Sequence, residues 1–437
     1  MGEKTRCSRN ACTPRFDGIV LASALLILVS ACAGRPKAVL LPVAETSPAA
    51  SQVSMMVVTT RQRSTNPGEM FTGERALSPS FVAMDISIPP ENARKVGEVA
   101  WPKKLPSNPN TDFAVVNVDN LDRAGAIKWF DGAVRKTPDR SVLVFIHGFN
   151  NTFEDSVYRF AQIAHDSGTH AVPVLVTWPS RGSLLAYGYD RESTNYTRNG
   201  LETLFQYLAH DSNVGEVSIL AHSMGNWLAL EGLRQMAIRN GGLPAKFKNV
   251  MLADADVDVD VFRSQIADMG KNRPNFTLFV SRDDRALAAS KRVWGDVDRL
   301  GAIDPEQSPY KEELAENEIS VVDLTNVKSE DALRHSKFAQ SPEVVQLIGA
   351  RLASGQTLTD SHVGLGDTIL SATTSAATMV GKGVGLAVAA PVAIVDQDTR
   401  NNFGGQVESL AGRSGKLGKP IDRKAHCKDD SGNRPCK

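Results

Sequence analysis

Six short runs recur along the middle of the chain: VLVFIH (142–147), PVLVTW (173–178), VSILAH (217–222), NVMLAD (249–254), FTLFVS (276–281) and ISVVDL (319–324). Each is apolar on both of its alternating faces and rich in β-branched residues. That is the pattern of a strand buried on both sides within a parallel sheet. The segments between the runs have helical spacing. Phe153, Val157, Phe160 and Ala164 fall at i, i+4, i+7 and i+11, and Leu201, Leu204, Phe205 and Leu208 at i, i+3, i+4 and i+7. Strand and helix in strict alternation imply right-handed βαβ crossovers and a mostly parallel sheet with helices on both faces. Three more strand-like runs come first: VSMMVVTT (53–60), FVAMDISI (81–88) and FAVVNV (113–118), the first two separated by turn-rich polar sequence. An α/β domain over 53–355 accounts for most of the 437 residues and leaves an extension at each end.

The upstream extension has the layout of an export signal. Lys4, Arg6, Arg9 and Arg15 precede an uncharged apolar run, GIVLASALLILVSA (18–31). Fourteen residues make a helix of about 21 Å, too short for a hydrocarbon core of about 30 Å. The run ends Val29-Ser30-Ala31-Cys32, which resembles the lipobox of bacterial lipoproteins. The resemblance implies a signal peptide over 1–31 and a diacylated Cys32 as the mature N-terminus, with two or three acyl chains giving stable anchoring. Ala33 rather than Asp after the cysteine implies the outer membrane, facing the periplasm. Residues 32–52 are rich in Ala, Pro and Ser and read as a tether.

Lys+Arg and Asp+Glu both total 49, so no global field gathers nucleic acid, and a nucleic-acid partner is not expected. Five cysteines are too few for a disulfide scaffold.

Sites in open α/β sheets form at the carboxyl ends of strands. Three such ends carry reactive side chains. Ala221-His222-Ser223-Met224-Gly225 joins a strand to a helix-like segment and resembles a nucleophile elbow with Ala in place of the first glycine. Ser223 is the candidate nucleophile, and the Met224 N–H would face a developing oxyanion. His147-Gly148-Phe149 ends an earlier strand, and the Phe149 N–H is the second oxyanion donor by analogy with α/β hydrolases; His147 is expected to orient the loop. A serine needs a base and the base an orienting carboxylate. Asp284 is preferred over Asp283 as the acid, since it lies three residues past a strand end. His335, in the loop after the last strand, is the candidate base, with His362 the only other. Asp254, Asp256, Asp258 and Asp260 alternate in LADADVDVDVF, but the EF-hand glycine and closing Glu are missing, and no metal or cofactor is expected.

The stretches VVTTRQR, FTGERALS, DISIPPENARKVGEVAWP, VFIHGFNNTFEDSVYRFAQIAHD, VTWPSRGSLLAYGYDRESTNYTR, AHSMGN, LADADVDVDVF, SRDDRALAAS and LRHSKF together resemble an α/β-hydrolase family of unknown function, common in bacteria and described as esterase- or lipase-like. The resemblance spans roughly residues 55–345. It implies the α/β-hydrolase fold and places the family's triad at Ser223, Asp284 and His335. Trp178, Tyr187, Tyr189 and Asp190 are candidates for a substrate-pocket wall, because Tyr and Trp combine apolar area with a polar tip.

The expected function is an envelope-anchored serine hydrolase acting on a small-molecule carboxylic ester. The alternatives are an amidase or thioesterase using the same triad, and a non-catalytic envelope interaction lipoprotein on a hydrolase scaffold. The tail, 356–437, holds an apolar Gly/Ala-rich stretch at 375–395 with a GxxxG at Gly381 and Gly385, read as a packing segment rather than a span. Cys427 and Cys436 are placed for a disulfide in an oxidising compartment.

Overall fold

The computed structural model describes residues 37–45 and 47–354. The signal-like segment 1–31 with Cys32, His362, the 375–395 stretch, Cys427 and Cys436 lie outside the described residues.

Nine strands form one sheet: β1 (Ser51–Arg63), β2 (Phe71–Ile88), β3 (Ala114–Leu121), β4 (Ser141–Ile146), β5 (Val172–Thr177), β6 (Glu216–His222), β7 (Phe247–Ala253), β8 (Asn275–Val280) and β9 (Ser320–Asp323). Their order is β3-β2-β1-β5-β4-β6-β7-β8-β9. From β1 to β9 every neighbouring pair is parallel, while β2 is antiparallel to β1 and to β3. The mostly parallel α/β-hydrolase sheet is therefore present, and all nine strand-like runs lie in it. The central strands β4 and β6 are buried on both faces, as their continuous apolar runs require.

Helices among the described residues are α1 (Arg123–Val134), α2 (Phe153–Asp166), α3 (Tyr187–His210), α4 (Met224–Asn240), α5 (Val259–Met269), α6 (Arg285–Val293), α7 (Tyr310–Glu316), α8 (Lys337–Gln340) and α9 (Pro342–Ser354). One apolar layer packs α1, α3, α4 and α5 on one face of the sheet, and a second packs α2, α8 and α9 on the other. Local chemistry sets the helix starts. Thr152 and Asp155 form a reciprocal capping box at α2, and the Asp258 carboxylate caps α5.

Two boundaries differ from the sequence reading. The stretch read as a tether is folded over 38–45 and 47–52. Val39 and Leu40 are buried in the second layer, the Tyr158 hydroxyl donates to the Val39 carbonyl at 2.8 Å, and Val43 N–H donates to Val115 O. The apolar run Val39-Leu40-Leu41 is too short to register as periodicity, yet Val39 and Leu40 pack into the second layer. In addition, β2 begins at Phe71 rather than 81. It extends the hairpin with β1 past the sheet edge through register shifts after Thr59 and Arg61.

Candidate active site

The site lies at the carboxyl ends of β4, β6, β7 and β8. Ser223 follows β6 directly with φ 53° and ψ −123°, a conformation that a non-glycine residue adopts only when its surroundings impose it. Three contacts impose it. Ser223 N–H donates to Ala253 O, and Asn226 Nδ2 bridges Ser223 O at 3.0 Å and Ala253 O at 2.8 Å. Gly225 completes the turn, since a Cβ there would stand 2.3 Å from His147 O and 2.6 Å from Ile146 O. Although Ser223 holds the N-cap position of α4, its hydroxyl makes no capping bond. It points instead at His335, whose Nε2 lies 2.7 Å from Oγ.

His335 Nδ1 donates to Asp284 Oδ2 at 2.6 Å. The other oxygen of Asp284 accepts from Leu287 N–H at 2.9 Å and caps α6. One carboxylate thus starts a helix and orients an imidazole, one oxygen for each. Ser223, His335 and Asp284 are brought together in that order. Asp283 is turned away. It accepts from Lys337 Nζ at 2.7 Å, Arg334 Nη1 at 2.8 Å and the Ser281 hydroxyl at 2.6 Å.

The loop carrying His335 is tied down from both sides. Asp331 accepts from His335 N–H at 2.8 Å and from Leu333 N–H at 3.0 Å. Lys337 is fully buried, and its ammonium also reaches Ser281 Oγ, Leu324 O and Thr325 O at 2.9–3.0 Å. That single cation joins the loop of the acid to the loop of the base.

Burial disfavours a charged imidazole at His335, but the Asp284 carboxylate against Nδ1, with Asp254 and Asp256 further off, raises it to about 9. His222, adjacent to the nucleophile, goes the opposite way. Burial first, and then the charge of His335, hold it well below its ordinary value. Its neutral Nε2–H donates to the His335 carbonyl at 2.9 Å, and its ring stacks on Phe338.

On the opposite side of Ser223, Gly148 packs so closely that a Cβ would lie 2.9 Å from both Ser223 Cβ and His222 Nδ1. This sets Gly148, the residue before Phe149, directly against the nucleophile. His147 is the structural residue expected. It is buried and held well below its ordinary value by burial and by Arg61; its Nδ1–H donates to Gly148 O at 2.8 Å and its Nε2 accepts from Trp178 N–H at 3.1 Å. Arg61 of β1 braces the same loop. Its guanidinium is buried, and it donates to Thr177 Oγ1, Ser180 O and Asn151 O at 2.8 Å each. Burial, opposed by Asp190 and other acids, brings its pKa to about 10.

Of the four residues expected in a pocket wall, one borders the site. Tyr187 meets Phe149 edge-on at 5.0 Å between ring centroids, accepts from Trp294 Nε1 at 2.8 Å and donates to Asp256 at 2.7 Å. The other three face elsewhere. Trp178 is buried and stacks on His147, because its N–H has a partner at His147 O only beneath the loop. Asp190 is buried and accepts from Ser180 Oγ and Arg181 N–H. Tyr189 lies under the guanidinium of Arg181, out on the β1–β2 hairpin side.

The alternating aspartates do not converge, and the last three take separate partners. Asp254 is buried after β7, Asp256 accepts from Ser290 and Tyr187, Asp258 caps α5, and Asp260 pairs with Arg263. Among the described residues one group brings metal-ligating atoms together, His222, Asp254 and His335, within 4.8 Å of one another. Both nitrogens of His335 are already engaged by Ser223 and Asp284, so an ion there would have to break the relay. Neither oxygen of Asp254 has a hydrogen-bond partner, His222 Nε2 standing 4.0 Å from Oδ2, and burial holds this carboxyl well above the ordinary carboxylate range. Sequence reasoning missed Asp254, Lys337, Arg61 and Asn226. The aspartate run and the AHSMGN stretch contain two of them, but nothing in sequence distance connects residue 61 to 147 or 337 to 283.

Comparison with known proteins bears on this geometry. Residues 122–351 match the family described as alpha/beta hydrolase of unknown function (DUF900). No curated protein matches significantly. Among solved structures, one of two fungal esterases from Rhizomucor miehei is similar at 11% identity, over 79% of this chain and 93% of that one, with a TM-score of 0.30. A thioesterase, RedJ, of the prodiginine pathway in Streptomyces coelicolor is similar at 16% identity, over 48% of this chain and 62% of that one, with a TM-score of 0.20.

Proposed function

We propose that this chain, which belongs to the DUF900 family of α/β hydrolases of unknown function, is a serine hydrolase that cleaves carboxylic esters through Ser223, His335 and Asp284. The observation that supports this most directly is the unbroken relay Ser223–His335–Asp284, with bonds of 2.7 and 2.6 Å and the serine strained at a helix head.

In this reading neutral His335 takes the Ser223 proton on Nε2 as Oγ attacks the ester carbonyl. The N–H groups of Phe149 and Met224 receive the oxyanion. His335 then returns the proton to the leaving alkoxide, and the acyl group stays on Ser223. Water, deprotonated by the same Nε2, attacks the acyl-enzyme, and collapse of the second tetrahedral intermediate frees Ser223 and the acid. Asp284 holds Nδ1–H and with it the productive tautomer. Phe149, Tyr187 and Trp294 supply an aromatic flank beside the nucleophile, which favours an apolar group on the substrate.

The test is labelling with a fluorophosphonate, followed by a panel of p-nitrophenyl esters. Wild type should label at one site, and Ser223→Ala should not label while melting normally. Equal labelling of Ser223→Ala sinks the assignment.

The chain is further proposed to sit in a bacterial envelope, anchored through acyl chains on Cys32 and facing the periplasm from the outer membrane. The order of basic segment, 14-residue apolar run and VSAC supports this. Cells expressing wild type should incorporate labelled palmitate into the protein and those expressing Cys32→Ser should not; an unlabelled wild type ends the proposal.

A further inference from the structure

A cavity of about 410 Å³ lies between α1 and α3, over β1, β2 and β5. It shares no lining residue with the Ser223 site. With the order β1-β5-β4-β6, its nearest strand, β5, lies two strands from the one that carries the nucleophile, about 10 Å across the sheet. Met56, Phe81, Phe130, Val174 and Leu204 form its walls. The recess opens to solvent along a rim where Pro79, Arg123 and Thr203 are exposed, and its volume falls in the range of about 300–1,000 Å³ typical of small-molecule sites.

The polar groups of the lining decide what fits. Thr60 and Thr197 hydrogen-bond each other at 2.9 Å. The Thr203 hydroxyl donates to Asn199 O, and the Asn199 side chain accepts from Gln235. The Tyr207 hydroxyl is taken by Asp131 and Asp211. Arg123, exposed at the first turn of α1, is the exception. Among the described residues its guanidinium has no hydrogen bond or ion pair. Ordered water needs two to four polar partners and finds almost none inside. The cavity therefore suits a hydrocarbon body with one anionic end, and a planar guanidinium matches a carboxylate bidentately.

We propose that this cavity binds a long-chain carboxylate, with the hydrocarbon between α1 and α3 and the head group on Arg123. The site stands independently of the assignment of Ser223.

The probe is cis-parinaric acid, a fluorescent long-chain carboxylate, titrated into the full-length protein. Gly200 on α3 offers a clean block, because a Cβ there meets only Thr60 Cγ2 at 3.6 Å and the rest of a leucine side chain would enter the cavity. Wild type and Ser223→Ala should bind the probe saturably and equally. Gly200→Leu, checked for folding by circular dichroism, should lose binding, and Arg123→Gln, a surface change that leaves the core intact, should weaken it about 10-fold or more. A long-chain alcohol should displace the probe less well than the matching acid. Absence of saturable binding to wild type, as expected were another segment such as 375–395 or a partner helix already seated there, overturns the proposal. So does undiminished binding in both Arg123→Gln and folded Gly200→Leu. Loss of binding in Ser223→Ala alone would place the probe in the catalytic site and also refute it.

Discussion

Replacing Asp284 by Asn separates the two tasks of that carboxylate. Asn keeps an oxygen for Leu287 N–H, so α6 stays capped. Its amide then faces His335 Nδ1 with a donor, which favours the tautomer with the proton on Nε2, and that tautomer cannot take the Ser223 proton. Loss of about 10⁴-fold in kcat is the expected scale for such a change in a triad. The charge matters separately. In wild type His335 sits at about 9, so at pH 7 only about one enzyme in a hundred carries the free base, and kcat/KM should climb about 100-fold to its plateau above pH 9. In the Asn variant the largest influence on His335, burial, is no longer opposed by an adjacent carboxylate, and the acid limb moves down. The deficit should therefore shrink from about 10⁴-fold above pH 9 to on the order of 100-fold at pH 7. Blank-corrected hydrolysis of a p-nitrophenyl ester from pH 6 to 9.5 measures both profiles. Parallel profiles, with a constant ratio across that range, would refute the reasoning, because Asp284 would then not control the ionisation of the base.

Gly148→Ala should lower kcat about 10²- to 10³-fold, the scale of a lost oxyanion donor. The new Cβ would meet Ser223 Cβ and His222 Nδ1 at 2.9 Å and push the Phe149 N–H off target; unchanged kcat would remove Phe149 from the mechanism. Asp254→Asn should stabilise the fold at pH 8 and not at pH 4. The folded protein keeps the proton of a buried carboxyl that the unfolded chain releases near 3.8, so wild-type stability falls as pH rises above that value. Urea melts at the two pH values decide it, and equal effects at both would be the wrong result. Lys337→Met should cost about 2–4 kcal/mol in the same melts, since four acceptors including Asp283 lose a buried cation.

The sheet was readable because its strands are buried on both faces, and such strands have to be written in Val, Ile and Leu. The elbow and the two loops that meet it followed from where those strands end. The start of α3 was hidden for a physical reason. Asp190, Ser193, Thr194, Thr197 and Leu201 are its buried face, at helical spacing, but four of the five are polar and escape a search for apolar periodicity. That is why Tyr189 and Asp190 looked like pocket wall while serving as a helix start. Choosing Asp284 over Asp283 rested on a three-residue offset, and the structure turns the two side chains to opposite partners. The lysine, arginine and second aspartate around the site act across the sheet, at separations that a linear pattern does not encode.

Arg61 sits on a strand that the family-matched segment, beginning at residue 122, does not include. The loop it braces, at 148–151, lies inside that segment. The chemistry and its buttress are thus carried by different stretches of polypeptide. A chain begun at residue 122 would keep Ser223, Asp284 and His335 but lose three strands, expose the flank of β5 and leave Asn151 and Ser180 carbonyls without their cation. In this architecture the loop beside Ser223 is held in part from outside the segment by which the family is defined.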